Sequence, residues 1–308
     1  MSRSRRPAER PSNPDKLLWP EAGFTKQDYW DYVSRVGDRM LLHLSERPLT
    51  FVRHPAGVGK QGFFQKDLPE HAPAWIHRFE HWSDDSKRTI SYPVARDLDD
   101  LRWMANMAAV ELHPGWARID RPDRPDRFAI DIDPGDDPDL LIPATRWLKE
   151  ILDALGLDSM VKTSGKRGLH VYVPIERRYD FSEVRAFGLA LARACAASHR
   201  RELTVEMRKA RRKGRLLLDW SRNGTSQTVV GAYSPRTNPL GTVSTPLDWD
   251  EVTVGLDPTA FTLATVPDRG DPWADPPGPQ RIETARSALA DMGFEAVDRS
   301  PRSSAPIE

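Results

Sequence analysis

The clearest alternation of apolar and charged residues lies in the stretch FAIDID. It places Phe128, Ile130 and Ile132 at one set of alternating positions and Asp131 and Asp133 at the other. Side chains two residues apart in a strand point to the same face, so the pattern predicts a strand with an apolar face and an acidic face. Like charges this close repel unless a positive group lies between them. The two aspartates therefore form either an acidic turn after a strand or a metal-binding pair.

Helical spacing of apolar residues predicts helices on both sides of this strand. The first has Thr25 as its predicted N-cap, and Asp28 follows three residues later, as in a loose capping box. The helices are predicted at 23–44, 138–157 and 181–200.

Short apolar runs predict strands between these helices, at 48–54, 159–175 (with a loop inside it), 215–220 and 228–234. The last two are predicted to flank a turn at Asn223-Gly224, a dipeptide typical of hairpins. Strands interspersed with helices predict a mixed α/β (α+β) fold with one core built on two sheets.

Composition is that of a globular protein, with 39% hydrophobic and 29% charged residues among 308. No apolar run approaches a membrane span, and the basic start MSRSRRPAER is not followed by the apolar region of a secretory signal. The single cysteine, Cys195, excludes a disulfide framework and favours a reducing cytoplasm. Residues 1–12 are predicted to be a disordered basic tail, 13–290 a single domain, and 291–308 a flexible C-terminal tail.

Charge is balanced overall but segregated along the chain. The 45 basic and 45 acidic residues give a net charge of zero, yet MRKARRKGR (207–215) is densely basic and DIDPGDDPD is acidic. A local basic patch is enough to bind nucleic acid, so the zero total does not exclude that function.

A third carboxylate, Asp219, follows the apolar run LLL. It is either a solvated residue at a strand end or a third oxygen ligand beside Asp131 and Asp133, because three carboxylates suit a pair of Mg²⁺ or Mn²⁺ ions in phosphoryl transfer. A calcium loop of the EF-hand type is excluded, since its fifth and twelfth positions would be Gly135 and Ile142.

The stretch TSGKRGLH combines glycines, backbone N–H groups and positive charge in the manner of a phosphate-binding loop. It is not a Walker A loop, because no glycine stands five residues before Gly165. His170 is either a structural strand histidine or a hydrogen-bond donor to phosphate. Arg236, in YSPRTNP, is either a surface arginine in a turn or a further anion ligand.

These pieces, in this order, resemble the archaeo-eukaryotic primase superfamily: D-x-D, then S-G-x-x-G-x-H, then a single Asp after an apolar strand. The closer resemblance is to the bacterial non-homologous end-joining polymerase, the polymerase domain of ligase D. It extends over about residues 12–255, through NPDKLLWPEAGFTK, FFQK, ELHPG, DIDP, TSGKRGLHVYVPI, LDWSRNGTSQTVVGAYSPR and VSTPLDWDEV. The resemblance implies a primase-polymerase fold with two central sheets flanked by helices and an RRM-like catalytic part.

The resemblance also implies a role for each matching residue. Asp131 and Asp133 match paired metal ligands, and Asp219 matches the third ligand, on the primer-side metal. The residues that match a grip on the incoming triphosphate are Ser164, Lys166, His170 and Arg236. The residues that match DNA contacts are Asn13, Lys16 and Lys26 at a downstream 5′-phosphate, Phe63 and Phe64 stacked on the template, His113 near the primer end, and Arg53 and Lys66.

The implied function is a template-dependent polymerase (a nucleotidyltransferase) that fills gaps and extends ends in double-strand break repair by non-homologous end joining. It would use two Mn²⁺ or Mg²⁺ ions and NTP or dNTP, with ribonucleotides favoured by the resemblance. The expected partners are DNA with gaps or ends and a 5′-phosphate, the Ku end-binding protein, and a separate DNA ligase, since no ligase module is visible after about residue 255. The expected location is the cytoplasm, at the nucleoid, without membrane association.

Two other functions remain open from the sequence. One is a primase that starts strands without a primer. The other is a catalytically silent module that binds DNA ends, against which the presence of all three aspartates and His170 argues.

Overall fold

The computed structural model describes residues 9–83 and 86–295. Its strands are β1 (Leu17–Trp19), β2 (Phe24–Thr25), β3 (Leu49–Arg53), β4 (Phe63–Gln65), β5 (Arg78–Ser83), β6 (Arg88–Pro93), β7 (Ala109–Pro114), β8 (Arg127–Asp133), β9 (Met160–Thr163), β10 (Leu169–Pro174), β11 (Leu203–Thr204), β12 (Leu216–Asp219) and β13 (Pro246–Leu247). Its α-helices are α1 (Lys26–Leu44), α2 (Leu98–Asn106), α3 (Leu141–Ala154), α4 (Phe181–Ser198), α5 (Lys209–Arg212) and α6 (Glu283–Asp291).

The predicted tails lie largely outside the described residues, and for 1–8 and 296–308 they stay predictions. Within the described part, Ser12 donates hydrogen bonds from its backbone N–H and its hydroxyl to the Asn106 side chain. Helix α6 continues to Asp291. Ser12 is therefore bonded to the end of α2, and the predicted domain bounds at residues 13 and 290 stay predictions.

The largest sheet has six strands in the order β11-β12-β8-β10-β9-β13. Apart from the short β11 and α5 between α4 and β12, the chain runs β8-α3-β9-β10-α4-β12 through it, and these four strands pair antiparallel in the order β12-β8-β10-β9. This β-α-β-β-α-β order is that of ferredoxin-like and RRM-like domains. The predicted RRM-like part is confirmed.

The two faces of β8 differ as its alternation predicts. Phe128 packs edge-on against Phe187 of α4, with ring centroids 5.2 Å apart, and Ile130 lies beside Gly188 of the same helix. Helices therefore cover the apolar face of the sheet. Asp131 and Asp133 lie on the opposite face, away from α4.

The second central sheet has the order β4-β3-β7, and helices α1 and α2 pack beside it. Helix α1 begins as predicted, with the Thr25–Asp28 capping box complete. The Tyr29 hydroxyl joins this helix to β7 by donating to the Ala109 carbonyl at 2.7 Å. The two predicted sheets are confirmed, and two small hairpins, β1-β2 and β5-β6, accompany them.

The strand predicted at 228–234 is wrong, because this segment has no ladder of strand hydrogen bonds. It lies along β7 through single bonds instead, from the Gly231 N–H to the Leu112 carbonyl (2.8 Å) and from the Leu112 N–H to the Ser234 hydroxyl (2.8 Å). Tyr233, at φ 62°, interrupts the extended conformation. The segment nevertheless connects the two central sheets.

The hairpin turn predicted at Asn223-Gly224 is also wrong. Asn223 lies in a short 3₁₀ turn, and its side-chain amide bonds both backbone groups of Ala129, the N–H at 2.8 Å and the carbonyl at 2.7 Å. Because β12 ends at Asp219, no strand residue reaches these groups of β8, and the asparagine side chain takes their place.

A buried ion pair fixes the entrance to β8. The Arg47 side chain, 2% exposed, donates two hydrogen bonds to Asp126, at 2.6 and 2.7 Å, and further bonds to the Gly115 and Trp116 carbonyls. Burial opposes the charge of Asp126, but Arg47, Arg127 and Arg118 outweigh it and lower the pKa of Asp126 to about 2.

We expect Asp126→Asn to lower the free energy of unfolding at pH 7 by about 3 kcal/mol, because it leaves a buried guanidinium without its charge partner. The unfolded carboxyl has a pKa of about 4, above its folded value of about 2. The contribution of the Asp126 charge to the free energy of unfolding is therefore fully present above pH ~4 and is lost as the pH falls towards ~2. Urea unfolding of both proteins at several pH values measures the difference.

Asp153→Asn is the matched control, since Asp153 pairs with Lys149 on the surface of α3 and should contribute less than about 0.5 kcal/mol. A wild-type advantage of Asp126 that stays constant down to pH ~2.5 would contradict the assignment.

Candidate active site

The register of four adjacent strands aligns four polar side chains in one row, three of which are predicted site residues. Asp219 of β12 lies opposite Asp131 of β8, Asp131 lies opposite His170 of β10, and His170 lies opposite Lys162 of β9. Directly opposite residues project from the same face of a sheet. All four side chains, with Asp133 two residues along β8, therefore belong to the face that α4 does not cover.

The three aspartates differ in exposure along this face. The side chains of Asp219 and Asp131 are 10% and 23% exposed, whereas that of Asp133 is 60% exposed at the end of β8. Burial opposes the charge of Asp131, yet His170, Arg222 and Lys162 hold its pKa below the usual range. Asp131 is therefore ionised at neutral pH, as a metal ligand requires.

Positive groups and hydrogen-bond donors already surround these carboxylates. Asp219 accepts from the Ser221 N–H (2.9 Å) and hydroxyl (2.6 Å), and its other oxygen lies 3.2 Å from Arg222 Nε. Arg167 lies 3.9 Å from Asp133. The three aspartates offer only oxygen atoms as metal ligands, and neighbouring hydrogen-bond donors orient their carboxylates. Such a site fits Mg²⁺ or Mn²⁺.

Among the described residues, the one trio of such side chains with ligand atoms within 4.8 Å of one another is a different group, His77, Asp97 and Asp100. Asp100 accepts from His77 Nδ1 (2.8 Å) and from the Arg96 N–H (2.9 Å), and Asp97 caps α2. This is a possible carboxylate–histidine metal site, although its oxygens already have protein partners. The carboxylate oxygens of Asp131, Asp133 and Asp219 do not all lie within this distance of one another. A site for two ions about 4 Å apart does not require all three carboxylates to meet at one point.

The predicted phosphate loop is a tight turn between β9 and β10. The Ser164 hydroxyl accepts hydrogen bonds from the Lys166 N–H (3.2 Å) and the Gly168 N–H (3.1 Å). Gly165, at φ 68°, lies against Arg236, so that an added Cβ would lie 2.5 Å from Arg236 Cγ. The Lys166 and Arg167 side chains are exposed at the end of this turn. The loop thus lies against Arg236 through Gly165, next to Ser164, and leaves the Lys166 side chain exposed.

His170 is buried between Asp131 and Lys162, with Nε2 3.4 Å from Asp131 Oδ1 and Nδ1 2.9 Å from Lys162 Nζ. Burial and the Lys162 charge lower the pKa of His170 to about 4, against the opposing effect of Asp131. The ring is therefore neutral at pH 7. A neutral histidine here still offers one N–H donor.

A buried glutamate that the sequence did not single out links two of the predicted residues. Glu111 of β7 accepts a hydrogen bond from His113 Nε2 (2.9 Å), lies 3.3 Å from Arg236 Nη1, and accepts from the N–H and hydroxyl of Thr237. Burial opposes its charge, but His113 and Arg236 hold the pKa of Glu111 well below its usual range. The signal was present in ELHP, since Glu and His two residues apart share a strand face.

Arg236 itself is 11% exposed, so it is not a surface arginine in a turn. Its backbone N–H bonds the Thr242 carbonyl at 2.8 Å, and its carbonyl accepts from Trp19 Nε1 at 3.0 Å. Through these two bonds the backbone of Arg236 connects strand β1 to the segment around Thr242.

Two exposed aromatic rings lie at the edge of the smaller sheet. Phe63 and Phe64 are 47% and 71% exposed, and the Phe64 ring centroid lies 6.2 Å from that of His113. Arg53 lies opposite Phe63 and places its guanidinium 5.3 Å from the ring centre. Lys66 follows β4 and is half-buried.

The three predicted 5′-phosphate ligands converge near the N-terminus. The Lys16 N–H bonds the Asn13 carbonyl (3.1 Å), and the Lys26 N–H bonds the Lys16 carbonyl (2.8 Å). Lys26 is 7% exposed and donates from Nζ to the Ser12 hydroxyl at 3.0 Å. Burial and the charges of Lys16 and Arg53 lower the pKa of Lys26, which places these cations in one cluster. A cavity of about 400 Å³ beside it is lined by Arg10, Pro11, Ser12, Asn13, Pro14 and Asn106.

Comparison with known families shows what this arrangement belongs to. The family model of the LigD primase-polymerase domain matches residues 25–276. The chain belongs to the LigD primase-polymerase family. The ligase D resemblance inferred from the sequence motifs is confirmed.

Relatives of this LigD primase-polymerase chain include the bifunctional non-homologous end joining protein LigD of Bacillus subtilis, 34% identical over 83% of this chain and 41% of that protein. The multifunctional LigD of Mycolicibacterium smegmatis is 33% identical over 78% of this chain and 32% of its own length. The chain thus spans about two-fifths or less of these relatives.

A solved structure, the polymerase domain of Mycobacterium tuberculosis ligase D in complex with DNA, is similar with a TM-score of 0.79 and 30% identity. The match covers 85% of this LigD primase-polymerase chain and 94% of the other. A polymerase domain of this family points to the use of divalent metal ions. Each helix in the described residues is too short or too polar to span a bilayer.

We expect Glu111→Gln to destabilise this LigD primase-polymerase chain by about 3 kcal/mol, because it leaves the buried Arg236 guanidinium without a charge partner. Urea unfolding at pH 7 measures the loss, with Asp153→Asn as the control at a surface pair. Equal unfolding free energies for Glu111→Gln and wild type would show that Arg236 does not depend on Glu111.

Proposed function

We propose that this protein is a template-dependent nucleotidyltransferase that fills gaps and extends ends during double-strand break repair by non-homologous end joining. The observation that carries the proposal is the row of Asp219, Asp131 and His170, with Asp133, on the uncovered face of an RRM-like sheet. The residues of that row match the family motifs, and the predicted phosphate loop leads into β10, the strand that carries His170.

Asp131 and Asp133 would hold two Mg²⁺ or Mn²⁺ ions, and Asp219 would complete the ion on the primer side. When bound, such ions supply Lewis-acid activation of the primer hydroxyl and charge neutralisation at the triphosphate. The chain's own part is to fix these carboxylates: Ser221 and Arg222 orient Asp219, and His170 orients Asp131.

The triphosphate would lie beside the loop, in contact with Ser164, Lys166, His170 and Arg236. Gly165 packs against Arg236, and Glu111 holds that arginine in place, so little side-chain freedom is lost on binding. Lys166 remains exposed and can approach the phosphates from the loop.

DNA would lie across both sheets. Phe63 and Phe64 are exposed beside His113, and a base stacked on an aromatic ring gains about 1–3 kcal/mol. Arg53 and Lys66 flank these rings, while Asn13, Lys16 and Lys26 would bind the 5′-phosphate of the downstream strand. Ku and a DNA ligase, as a separate chain or as a further part of a longer one, are the proposed protein partners, and the bacterial nucleoid is the proposed location.

Primer extension on a gapped duplex with a 5′-phosphate tests the proposal directly. Addition of nucleotides that depends on template and on Mn²⁺ or Mg²⁺ is the expected result. Strand synthesis from template and nucleotides without a primer would make the protein a primase instead, and binding of DNA ends without any synthesis would make it a silent end-binding module.

Asp133→Ala should lower the rate of nucleotide addition at least about 10³-fold, because it removes a ligand charge whose contribution to the transition state is several kcal/mol. DNA binding should be retained, since Asp133 is exposed and does not support the core. Asp136→Ala, at an exposed aspartate three residues further on, is the control and should change the rate less than about threefold. Near wild-type extension by Asp133→Ala would overturn the metal-site assignment.

Replacing Lys16 by Ala together with Lys26 by Met should erase a preference for gapped DNA that carries a 5′-phosphate. A terminal phosphate carries more charge than an internal one, so clustered lysines select it and salt weakens the selection. Fluorescence anisotropy with the two DNAs, at two salt concentrations, measures the preference. Lys149→Met, on the helix-covered side of the sheet, is the control.

Extension of an open template-primer should survive in the double variant, because its lysines lie outside the aspartate row. Equal binding of phosphorylated and unphosphorylated gaps by the wild type at low salt would remove this part of the proposal.

A further inference from the structure

Lys162 has an unusual environment for a lysine. Lys162 is 0% exposed, and among the described residues it forms no salt bridge with a carboxylate. Its Nζ instead approaches His170 Nδ1 (2.9 Å), the Ser244 hydroxyl and the Thr163 carbonyl (3.4 Å). Burying an amine in this way is costly, and an apolar side chain of similar length would fill the same space without that cost.

Burial, and then the charge of Arg236, lower the pKa of Lys162 well below its usual value, but three contacts remain for the N–H groups of Nζ. An ammonium has three N–H donors and no acceptor, and the three contacts are with a ring nitrogen, a hydroxyl oxygen and a carbonyl oxygen. The Ser244 hydroxyl proton is directed elsewhere, to the Thr163 carbonyl at 2.7 Å. The Ser244 oxygen is therefore an acceptor towards Lys162, and His170 Nδ1 is one as well.

This contact favours one tautomer of His170. Lys162 Nζ has N–H groups to donate to Nδ1, and Nε2 faces the Asp131 carboxylate, which can only accept, so both contacts favour a ring proton on Nε2. Nε2 is the ring nitrogen that faces Asp131, at 3.4 Å. The N–H of His170 is thus directed along the row of functional side chains.

Lys162 also contacts the segment around Ser244, which lies beside Arg236. Ser244 bonds Ser234 through its backbone N–H at 2.9 Å, and its backbone nitrogen would lie 2.9 Å from a Cβ added at Gly165. The Lys162 amine therefore connects β9, His170 on β10, and the segment packed against the phosphate loop.

We infer that Lys162 is a positioning residue that acts through His170: it holds the Nε2–H tautomer, so that this N–H is directed to Asp131 in the row beside which the triphosphate would bind. The inference rests on the proposed function, because that function supplies the triphosphate. Lys162 itself touches neither the proposed substrate nor the aspartates.

The test compares wild type with Lys162→Met, which removes the donor and keeps the length of the side chain. Protein labelled with ¹⁵N at its eight histidines gives the tautomer of His170 from two-bond ¹⁵N–¹H correlations, assigned by loss of the signal in His170→Gln. We expect Nε2–H in the wild type and a large Nδ1–H population in Lys162→Met. Lys149→Met should leave the tautomer unchanged.

Kinetics give the second readout. Lys162→Met should raise the nucleotide KM about tenfold, the loss of roughly one hydrogen bond, with DNA affinity unchanged. In a His170→Ala background the same substitution should add much less than tenfold, because the residue through which Lys162 acts is absent and only its contact with Ser244 remains. Lys162→Gln, which keeps an N–H donor, should restore most of the wild-type KM.

Three results would overturn the inference: an unchanged His170 tautomer in a folded Lys162→Met protein, a loss that adds fully to that of His170→Ala, or Nδ1–H in the wild type. The last applies even where Lys162→Met does not fold. Absence of nucleotide addition by the wild type would refute the proposed function, while the tautomer comparison in metal-free protein would still decide whether Lys162 controls His170.

Discussion

The pairing register of β8 with its two neighbours is the constraint on which the rest of the structure depends. Asp131 lies opposite Asp219 on one side and His170 on the other. A shift of one residue in either pairing would turn the matching side chain to the helix-covered face. The apolar residues on that face prevent such a shift, because Phe128 and Ile130 pack against α4. Hydrophobic packing on one side of the sheet therefore holds the carboxylates in place on the other.

Buried polar contacts also join the two central sheets around the row of Asp219, Asp131 and His170. Glu111 on the smaller sheet holds both His113 and Arg236, and the segment around Ser234 bonds β7 through Leu112. Gly165 allows the phosphate loop to lie directly on Arg236, where a larger residue would collide. The proposed triphosphate ligands thus come from different parts of the chain, and buried polar contacts fix His170 and Arg236 while Lys166 remains exposed.

The sequence predicted the central elements well because their signals are local. Alternation defined β8, and the Thr25–Asp28 capping box marked the start of α1. The prediction from sequence was wrong between residues 220 and 234, where it gave a hairpin turn and a strand. There the backbone bonds distant partners: the Asn223 side chain completes β8, and Gly231 bonds Leu112. Such partners cannot be found from neighbouring residues.

The candidate site divides in the same way. The sequence by itself determined which residue types are present in family order, and that Asp131 and Asp133 share a face, because side-chain direction in a strand depends only on position along it. Only the tertiary structure decided that Lys162 lies beside His170, that Glu111 holds Arg236, and that Asp97 and Asp100 cluster with His77. The physical reason is that strand order and register are set by packing between segments far apart in the chain, and the cost of burying a charge appears only once those segments surround it.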